Sequence, residues 1–368
     1  MIVQRKLKNR TPVKQRRIMT SLRDEIVTGV FPPGSQLPTR TILEGRFQAS
    51  RVTVQRVLDQ LVADGFVYAR GRNGTFVSER PPHLFQYGLW FPARPGPHGE
   101  WNKYWQALRN EADQFNRRGQ EQIKVYYGPE QPIDDSFADL INDLRSNRLA
   151  GLIFSANPFH LKGSPVLELS SLPRVALMPN LEFPGVAAVD LSYASFFRRA
   201  MEHLQASGCN KPAIILGKHS RALRDDLALA IQESGLKSRP YWIQRVHPSM
   251  PDAAREIAQL LFSVPSAERP DSLVIADDHL VEYVVAGVVA AGVRVPDELK
   301  IVAHCNFPNT AFSAIPMRRL GFDANRSLEL CLQSLAKQRA GQFPLAVENI
   351  DARFEDELPK IEHEIPVQ

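Results

Sequence analysis

The chain has 368 residues, of which 43% are hydrophobic and 23% charged, a composition typical of a globular protein with two or three domains. No apolar run approaches the ~18 residues of a membrane span, and the N-terminal segment lacks the apolar stretch of a signal peptide. We therefore expect a cytoplasmic protein that does not enter a membrane. The three cysteines, Cys209, Cys305 and Cys331, have no paired spacing, which argues against a disulfide framework or a zinc site.

Charge is distributed unevenly along the chain. Residues 1–80 hold 15 Lys and Arg against 6 Asp and Glu, a net charge of +9. The remaining residues hold 30 against 34, a net charge of −4. This asymmetry favours a small module that meets phosphate, joined to a larger domain that does not, although a solvated basic tail would give the same counts.

Two helices are predicted at the start of this basic segment. The first runs to about residue 28 and ends at Gly29, because its apolar residues form one stripe: Ile18, Met19, Leu22 and Ile26. A Pro-Pro-Gly turn at 32–34 cannot be helical and separates it from the second helix. The second helix is expected over Arg40–Phe47, with Ile42, Leu43 and Phe47 buried.

A third helix and a hairpin complete the predicted module. Ser50 can cap the helix by accepting a hydrogen bond from a free backbone N–H. One face is expected in the core, namely Val54, Val57, Leu58, Leu61 and Val62. Polar residues cluster near the N-terminal end, mostly off that face: Arg51, Thr53, Gln55 and Arg56. A recognition helix needs this placement, since its N-terminal residues enter the major groove. The hairpin tip carries Arg72 and Asn73, so the pattern predicts a winged helix-turn-helix that binds double-stranded DNA.

This stretch resembles the winged helix-turn-helix of the GntR family of bacterial transcription regulators. The matching motifs are Pro-Pro-Gly-Ser at 32–35, Ser-Arg-x-Thr-Val at 50–54 and Gly-Thr-Phe-Val at 74–77. The resemblance implies DNA contacts by Arg51 and Thr53, and we extend the DNA surface by inference to their surroundings: Arg40, Thr41, Ser50, Gln55, Arg56, Arg72, Asn73 and Gly74. Thr41 stands where the family has a phosphate-contacting Arg, and Gln55 where it usually has Arg. Both departures bear on which operator is read.

Beyond a Pro-rich linker at 81–84, apolar runs alternate with amphipathic helices. Strands are predicted at 85–91, 123–127, 149–154, 174–177, 213–216, 272–275, 299–303 and 319–322. Helices are predicted at 104–118, 137–146, 193–207, 252–262, 279–291 and 325–340. This alternation predicts an α/β fold with parallel sheets covered on both faces. Residues 85–368 form a longer segment than one such sheet requires, so two lobes are expected.

The large domain resembles the LacI-type periplasmic-binding-protein fold. The segments that carry the resemblance are 149–154, 188–190 with 208–215, and 270–278 with 290–302, of which the last follows the family most closely. The resemblance implies two lobes that close on a small ligand, usually a sugar, at the carboxyl ends of the strands. Lobe one would comprise about 85–189 and 307–342, and lobe two about 190–306 and 343–358.

The same resemblance implies a set of ligand-binding residues. By position, Asp277 matches the family's ligand-contacting Asn or Asp, and Arg224 or Arg221 is the candidate for gripping hydroxyls. Trp90 could stack on a ring or equally pack in the core. The remaining candidates are Asn157, Cys305 and Asn306. Cys305 replaces the family's sugar-binding Asp, and a thiol cannot accept two hydroxyl protons as a carboxylate does. A different sugar, a non-sugar ligand and no ligand all remain open.

Residues 277–279, Asp-Asp-His, invite interpretation as a metal or catalytic cluster. Adjacent residues at a strand end should point apart, however, and no further His or Cys has ligand spacing. The sequence also lacks the motifs of nucleophile elbows, phosphate-binding loops and dinucleotide sites. We therefore expect no metal, no cofactor and no enzymatic activity.

Together these patterns predict a homodimeric transcription regulator that represses carbohydrate-utilisation genes. It would bind a pseudo-palindromic operator and a small-molecule effector, a sugar by preference. The alternative is a DNA-binding regulator whose large domain only dimerises or senses a protein partner, without a sugar ligand. Whether the protein represses or activates transcription is open at this stage. Whether the effector releases or promotes DNA binding is open as well.

Overall fold

The computed structural model describes residues 13–96, 101–119, 121–129, 135–168, 172–217, 221–310 and 313–359. They form two compact units. The first contains residues up to Arg94 together with Asp113–Ala176, and the second contains Pro95–Ala112 and the residues from Leu177 onward. Within the described ranges, no helix combines the length and apolarity that crossing a membrane requires.

The first unit opens with three helices and a hairpin. Their bounds are α1 (Val13–Val27), α2 (Arg40–Phe47), α3 (Arg51–Ala63), β1 (Val67–Ala69) and β2 (Thr75–Val77). The two strands are antiparallel, with Tyr68 opposite Phe76. The core of this module joins the α1 stripe to the inner face of α3, and Phe66 and Val77 close it from the hairpin. The predicted winged helix-turn-helix is confirmed.

Two residues of the predicted core are exposed, and a third is only partly buried against it. Ile42 is 57% exposed and Val62 is 42% exposed, while Phe47 is only half-buried. Each lies in a helix that offers the core a narrow stripe: α2 buries Leu43 alone, and α3 buries four residues of which Leu61 is the last. Helical periodicity overestimated the width of both apolar faces.

The α/β part of the first unit follows directly. Its elements are α4 (Pro82–Phe85), β3 (Gln86–Phe91), α5 (Lys103–Arg118, whose first turns belong to the second unit), β4 (Gln122–Tyr127), α6 (Asp135–Arg145), β5 (Gly151–Phe154), α7 (Pro165–Glu168) and β6 (Arg174–Leu177). The strands pair in parallel in the order β4-β3-β5-β6. Strand β3 is buried along almost its whole length, as expected for a parallel strand covered on both faces.

The second unit is a larger α/β assembly. Its helices are α8 (Tyr193–Ala206), α9 (Arg221–Ser234), α10 (Pro251–Phe262), α11 (Val281–Ala290) and α12 (Ala324–Arg339). Its strands are β7 (Ala187–Ser192), β8 (Pro212–Leu216), β9 (Ile243–Arg245), β10 (Ser272–Ile275), β11 (Lys300–Phe307), β12 (Arg318–Asp323), β13 (Glu348–Asp351) and β14 (Arg353–Phe354). Six strands form one sheet in the order β14-β12-β11-β10-β8-β9.

Pairing within this sheet differs from the predicted lobe boundaries. Strand β12 runs parallel to β11 in unbroken register from Val302 opposite Arg318 to Phe307 opposite Asp323. The sequence-based division had placed 307–342 in the other lobe. The C-terminal segment also divides, since β13 pairs with β7 and β14 pairs with β12. Strand pairing is a tertiary contact, so local sequence patterns do not determine it.

Candidate nucleic-acid interface and ligand cavity

The N-terminal end of α3 is a capped and exposed helix terminus. Ser50 Oγ accepts a hydrogen bond from the backbone N–H of Thr53 at 3.3 Å and lies 2.9 Å from the Thr53 hydroxyl. The cap satisfies one first-turn N–H, and the helix dipole adds partial positive charge to this end. Phosphate groups bind readily at such a terminus.

Three arginines extend from this surface into solvent. Arg51 and Arg56 are exposed on α3, and Arg72 is exposed at the tip of the hairpin. None of the three forms an ion pair with another residue in the described ranges. Their guanidinium groups are therefore available for base edges or phosphates, and an arginine fork suits both.

Gln55, which departs from the family pattern, contacts Arg40, the neighbour of the other departure at Thr41. Arg40 donates a hydrogen bond to Gln55 Oε1 at 3.1 Å, and Gln55 donates in turn to Asp59 Oδ1 at 2.8 Å. Arg40 also lies 3.5 Å from Glu44. An Arg at position 55 would repel Arg40, so Gln55 suits the Arg at position 40. Thr41, beside them, is exposed.

The hairpin is tied to the turn before α2. Gln36 donates from Nε2 to the carbonyl of Asn73 at 2.8 Å, and the backbone N–H of Leu37 donates to Thr75 O at 2.9 Å. Gly74 has a φ of +104°, and a Cβ there would lie 2.7 Å from Gln36 Nε2. The matched glycine therefore permits the close contact that holds Arg72 and Asn73 at the tip.

A polar cavity of about 290 Å³ lies in the second unit. Its polar lining residues are Asn102, Tyr104, Tyr193, Asp277, Asp278, His279, His304 and Asn306. Most of them come from the carboxyl ends of parallel strands, where ligands bind in open α/β sheets. A neighbouring cavity of about 850 Å³ shares Asp278, His279 and His304 and adds Lys103, Cys305 and Arg319.

Residues 277–279 form a compact ion cluster in this cavity. His279 Nδ1 lies 3.0 Å from Asp277 Oδ1 and 3.2 Å from Asp278 Oδ1. Hydrogen bonding to Asp277, then to Asp278, raises the pKa of His279 to about 9. The expectation that these side chains point apart is wrong, because they follow β10 in a turn in which Leu280 N donates to Asp277 O at 3.1 Å. Their ligating atoms lie within 4.8 Å of one another, with His279 Nδ1 facing both carboxylates.

Asp278 accepts hydrogen bonds in the cavity through both its carboxylate and its backbone carbonyl. Asn306 donates to its Oδ2 at 2.7 Å, and Lys103 donates to its backbone carbonyl at 2.8 Å. Burial alone would raise the pKa of Asp278, but hydrogen bonding from His279 and nearby positive charge hold it below the ordinary value. Asp278 is therefore ionised at neutral pH and able to accept hydroxyl protons.

Gly217, directly after β8, makes room for Asp277. A Cβ at position 217 would lie 2.1 Å from Asp277 Oδ2, a distance that no side chain tolerates. The carboxylate thus occupies space that only a glycine leaves free. Asp277 lines the smaller cavity, where its Oδ1 accepts a hydrogen bond from His279 N at 3.0 Å.

Three of the predicted ligand-binding residues are brought together here. Asp277 and Asn306 line the smaller cavity, and Cys305 lines the larger one. Burial raises the pKa of Cys305 to about 12, and its thiol donates to Asn309 O at 3.5 Å. Cys305 therefore stays neutral, and the adjacent cluster supplies the carboxylates.

The other four candidates lie elsewhere. Trp90 is completely buried, donates from Nε1 to Gly128 O and packs edge-on against Phe154, so the structure favours the packing interpretation. Asn157, in the first unit, accepts a hydrogen bond from Phe159 N at 3.0 Å. Arg221 and Arg224 are exposed in the first turns of α9, and neither lines the two cavities described above.

Several lining residues escaped the sequence analysis. Tyr193 and His304 stack with ring centroids 5.8 Å apart and an interplanar angle of 12°. Tyr104 donates to Ser327 Oγ at 2.7 Å, and burial raises its pKa above the ordinary range. Their positions offered some signal, since His304 precedes Cys305 and Tyr193 opens a helix after a strand. No motif marks aromatic residues as cavity walls.

Comparison with known proteins supports both modules. Residues 14–77 match bacterial regulatory proteins of the gntR family, and residues 201–345 match the periplasmic binding protein-like domain. The chain is 24% identical to catabolite control protein A of Staphylococcus xylosus over 199 residues, which are 51% of this chain and 59% of that protein. It thus spans less than two thirds of that relative.

Two further similarities extend over more of the chain. The arabinose metabolism transcriptional repressor of Geobacillus stearothermophilus is 21% identical over 315 residues, covering 82% of this chain and 84% of that protein. A solved structure of a LacI-family regulatory protein from Chloroflexus aggregans has a TM-score of 0.56 at 17% identity, covering 72% of this chain and 96% of that one.

The fold and its two surfaces therefore define a winged helix-turn-helix joined to a periplasmic binding protein-like α/β domain. Residues 14–77 match the gntR family model, and the large domain has the fold of LacI-family regulators, so both resemblances are confirmed.

Proposed function

We propose that this protein is a transcription regulator that binds double-stranded DNA through α3 and the hairpin. The observation that carries the proposal is the exposed trio Arg51, Arg56 and Arg72, which flanks a capped helix N-terminus. The net charge of +9 in residues 1–80 adds the long-range attraction that DNA binding requires. In this arrangement Arg51 and Thr53 read the major groove, and Arg72 and Asn73 contact the minor groove or backbone.

We propose in addition that a sugar effector binds in the second unit. Asp277, Asp278 and Asn306 present acceptors and a donor for hydroxyl groups, and Tyr104 and Tyr193 offer apolar ring surfaces. The similarity to an arabinose metabolism repressor points to the same ligand class. Asp278 would supply the carboxylate that Cys305 cannot. The regulated genes would then be those of carbohydrate use, with the protein acting in the cytoplasm as a repressor.

Control of DNA binding by the ligand would follow from thermodynamic linkage between sugar binding and operator binding. A homodimer would present two α3 helices to the half-sites of a pseudo-palindromic operator. The effector shifts DNA affinity only if it binds the DNA-competent and DNA-free conformations with different affinity. The proposal therefore requires that sugar binding and operator binding change each other by the same factor.

The DNA-binding proposal is tested with the variant Arg51→Ala. The probe is a duplex that the wild-type protein selects from a random-sequence pool. Because a bidentate base contact contributes about 1–3 kcal/mol, we expect roughly tenfold or greater loss of affinity in a gel shift. The melting temperature should not change, since Arg51 makes no ion pair within the described ranges.

Arg198→Ala is the matched control. Arg198 is half exposed on α8, in the α/β domain, and among the described residues it forms an ion pair only with Glu202, at 3.4 Å. It should bind the duplex as the wild type does. Wild-type affinity of the Arg51→Ala variant would rule out the proposed orientation of α3 on DNA.

A further inference from the structure

One guanidinium group joins the winged module to the α/β part of the first unit. Arg148 lies between α6 and β5 and contacts two carboxylates with its two terminal nitrogens. Its NH1 group is 2.8 Å from Asp64 Oδ1, and its NH2 group contacts Asp143 Oδ1. Asp64 belongs to the winged module and Asp143 to the α/β part. Arg148 therefore bridges the two parts through a pair of charged hydrogen bonds.

Asp64 is the residue at which α3 ends. Its side chain is only 3% exposed, and its second oxygen contacts Arg23 of α1. Gln60, one turn earlier on α3, donates to Asp64 Oδ1 at 3.0 Å. The N-terminal end of α3 thus faces solvent, where DNA would bind, while its C-terminal end is held in a buried ion cluster.

Asp143 provides a fixed counterpart on the α/β side. Its side chain is 2% exposed, and it accepts hydrogen bonds from Lys124 at 2.7 Å and Tyr126 at 2.5 Å. Burial alone would raise the pKa of Asp143, but these hydrogen bonds and the charge of Arg148 hold it below the ordinary value. Asp143 is therefore charged at neutral pH and anchors Arg148 from helix α6.

Apolar and polar contacts surround this bridge. The rings of Phe66 and His83 stack with centroids 5.9 Å apart, which packs the connection to the α/β part against the hairpin. Asn147 donates to Asp24 Oδ1 at 3.2 Å beside Arg148. These contacts show that the winged module is packed against the α/β part and not held by a free tether.

We propose that Arg148 is a positioning residue for DNA binding: it fixes the orientation of α3 on the α/β part by bridging Asp64 and Asp143. The inference rests on the proposed function, because orientation matters only if α3 binds DNA. A planar guanidinium can donate to two carboxylates at once, whereas a lysine ammonium is a single point charge on a flexible stem. A displacement of the turn between α6 and β5 would therefore move the recognition helix.

The test uses Arg148→Lys and Arg148→Gln, with Arg145→Gln as control. Arg145 is exposed at the end of α6, three residues earlier, so its loss removes the same charge without breaking the bridge. The first readout needs no DNA: hydrogen exchange of the backbone amides between Phe66 and His83. We expect both Arg148 variants to exchange about tenfold or more faster there. The amides of β3 serve as reference and should stay protected, showing that the α/β part is folded.

The second readout is affinity for two duplexes, the selected full operator and a single half-site. Affinity for the half-site should stay within twofold of the wild type, because Arg148 does not reach the DNA surface. Affinity for the full operator should fall at least about fivefold, because two loosely held modules must be ordered on binding. Arg145→Gln should match the wild type in every measurement.

Unchanged exchange in both Arg148 variants would overturn the proposal. Faster exchange with unchanged operator affinity, or an equal loss on both duplexes, would also overturn it, since neither outcome describes positioning. A wild-type protein that selects no duplex would instead refute the proposed function. In that case the exchange measurement would still decide whether Arg148 holds the module.

Discussion

Asp278 and Cys305 both line the larger cavity, but only Asp278 supplies a carboxylate there. Cys305 stands where the LacI-type pattern has a carboxylate, and its thiol is neutral and bonded to Asn309 O. The buried carboxylate of Asp278 lies next to it and is held by Asn306 at 2.7 Å. A carboxylate is thus retained on the wall of the cavity, although it comes from β10 instead of β11. The direction of approach to a ligand hydroxyl differs accordingly.

His279 should make the stability of the second unit depend on pH. Its pKa is raised to about 9 in the folded state, against about 6.5 when unfolded. The stabilisation is therefore complete below about pH 6.5 and is lost as pH rises through 9. We expect the free energy of unfolding to fall by on the order of 2–3 kcal/mol over this range, measured by urea denaturation.

The comparison variant for this prediction is His279→Asn, which should lack that decrease. His160→Asn, an exposed histidine of the first unit, should retain it. If the difference in stability between wild type and His279→Asn stays constant from pH 6.5 to 9, the ion cluster does not form as described.

At the scale of elements, α10 and α11 owe their close packing to one glycine. A Cβ on Gly287 would lie 2.2 Å from the backbone carbonyl of Arg255, which cannot move aside as a flexible side chain could. Gly287→Ala should force the helices apart and cost about 1–3 kcal/mol, of which better helix propensity offsets up to about 1 kcal/mol. Urea denaturation measures the net loss.

The same substitution in another helix should act in the opposite direction. Gly45 lies in α2, and a Cβ there would have no neighbour within 4 Å. Gly45→Ala should therefore stabilise the winged module by up to about 1 kcal/mol. Equal effects of the two substitutions would contradict the packing of α10 on α11.

Elements with a clear local pattern could be predicted from sequence, and elements of two or three residues could not. The bounds of α2 and β10 agree with the expected ranges, because capping and apolar patterns define them locally. β9 has three residues and β14 two, too few to show a period. The ion cluster at 277–279 was misjudged because a turn, not a strand, sets its side-chain directions. The bridge at Arg148 has no local pattern, since Asp64 lies 84 residues away.

At the scale of the whole molecule, the basic residues and the polar cavity belong to different parts of the chain. The basic excess lies in the first 80 residues, whereas the polar cavity lies in the second unit. In the proposal the ligand and the DNA bind through different residues, so the ligand influences DNA binding only if it shifts the protein between conformations. The division therefore makes effector binding measurable without DNA.

We expect at least one member of a panel of mono- and disaccharides to stabilise the protein. A ligand at about 100 times its Kd adds about 2.7 kcal/mol, which raises Tm by roughly 5–11 °C for a unit of this size. Asp278→Asn should abolish this shift, because the variant loses a carboxylate that accepts hydroxyl protons. Asp225→Asn, which removes an exposed carboxylate 3.8 Å from Arg221, should keep it.

The same sugar should then change operator affinity in a gel shift, and the operator duplex should change sugar affinity by an equal factor. If a sugar stabilises the protein without changing operator affinity, the sugar binds but does not control DNA binding. If no sugar stabilises the wild type, the sugar proposal fails, and a large domain that only dimerises or senses a protein partner becomes the better account. In that case the bridge at Arg148 would still set the orientation of α3, since it depends on contacts within the first unit alone.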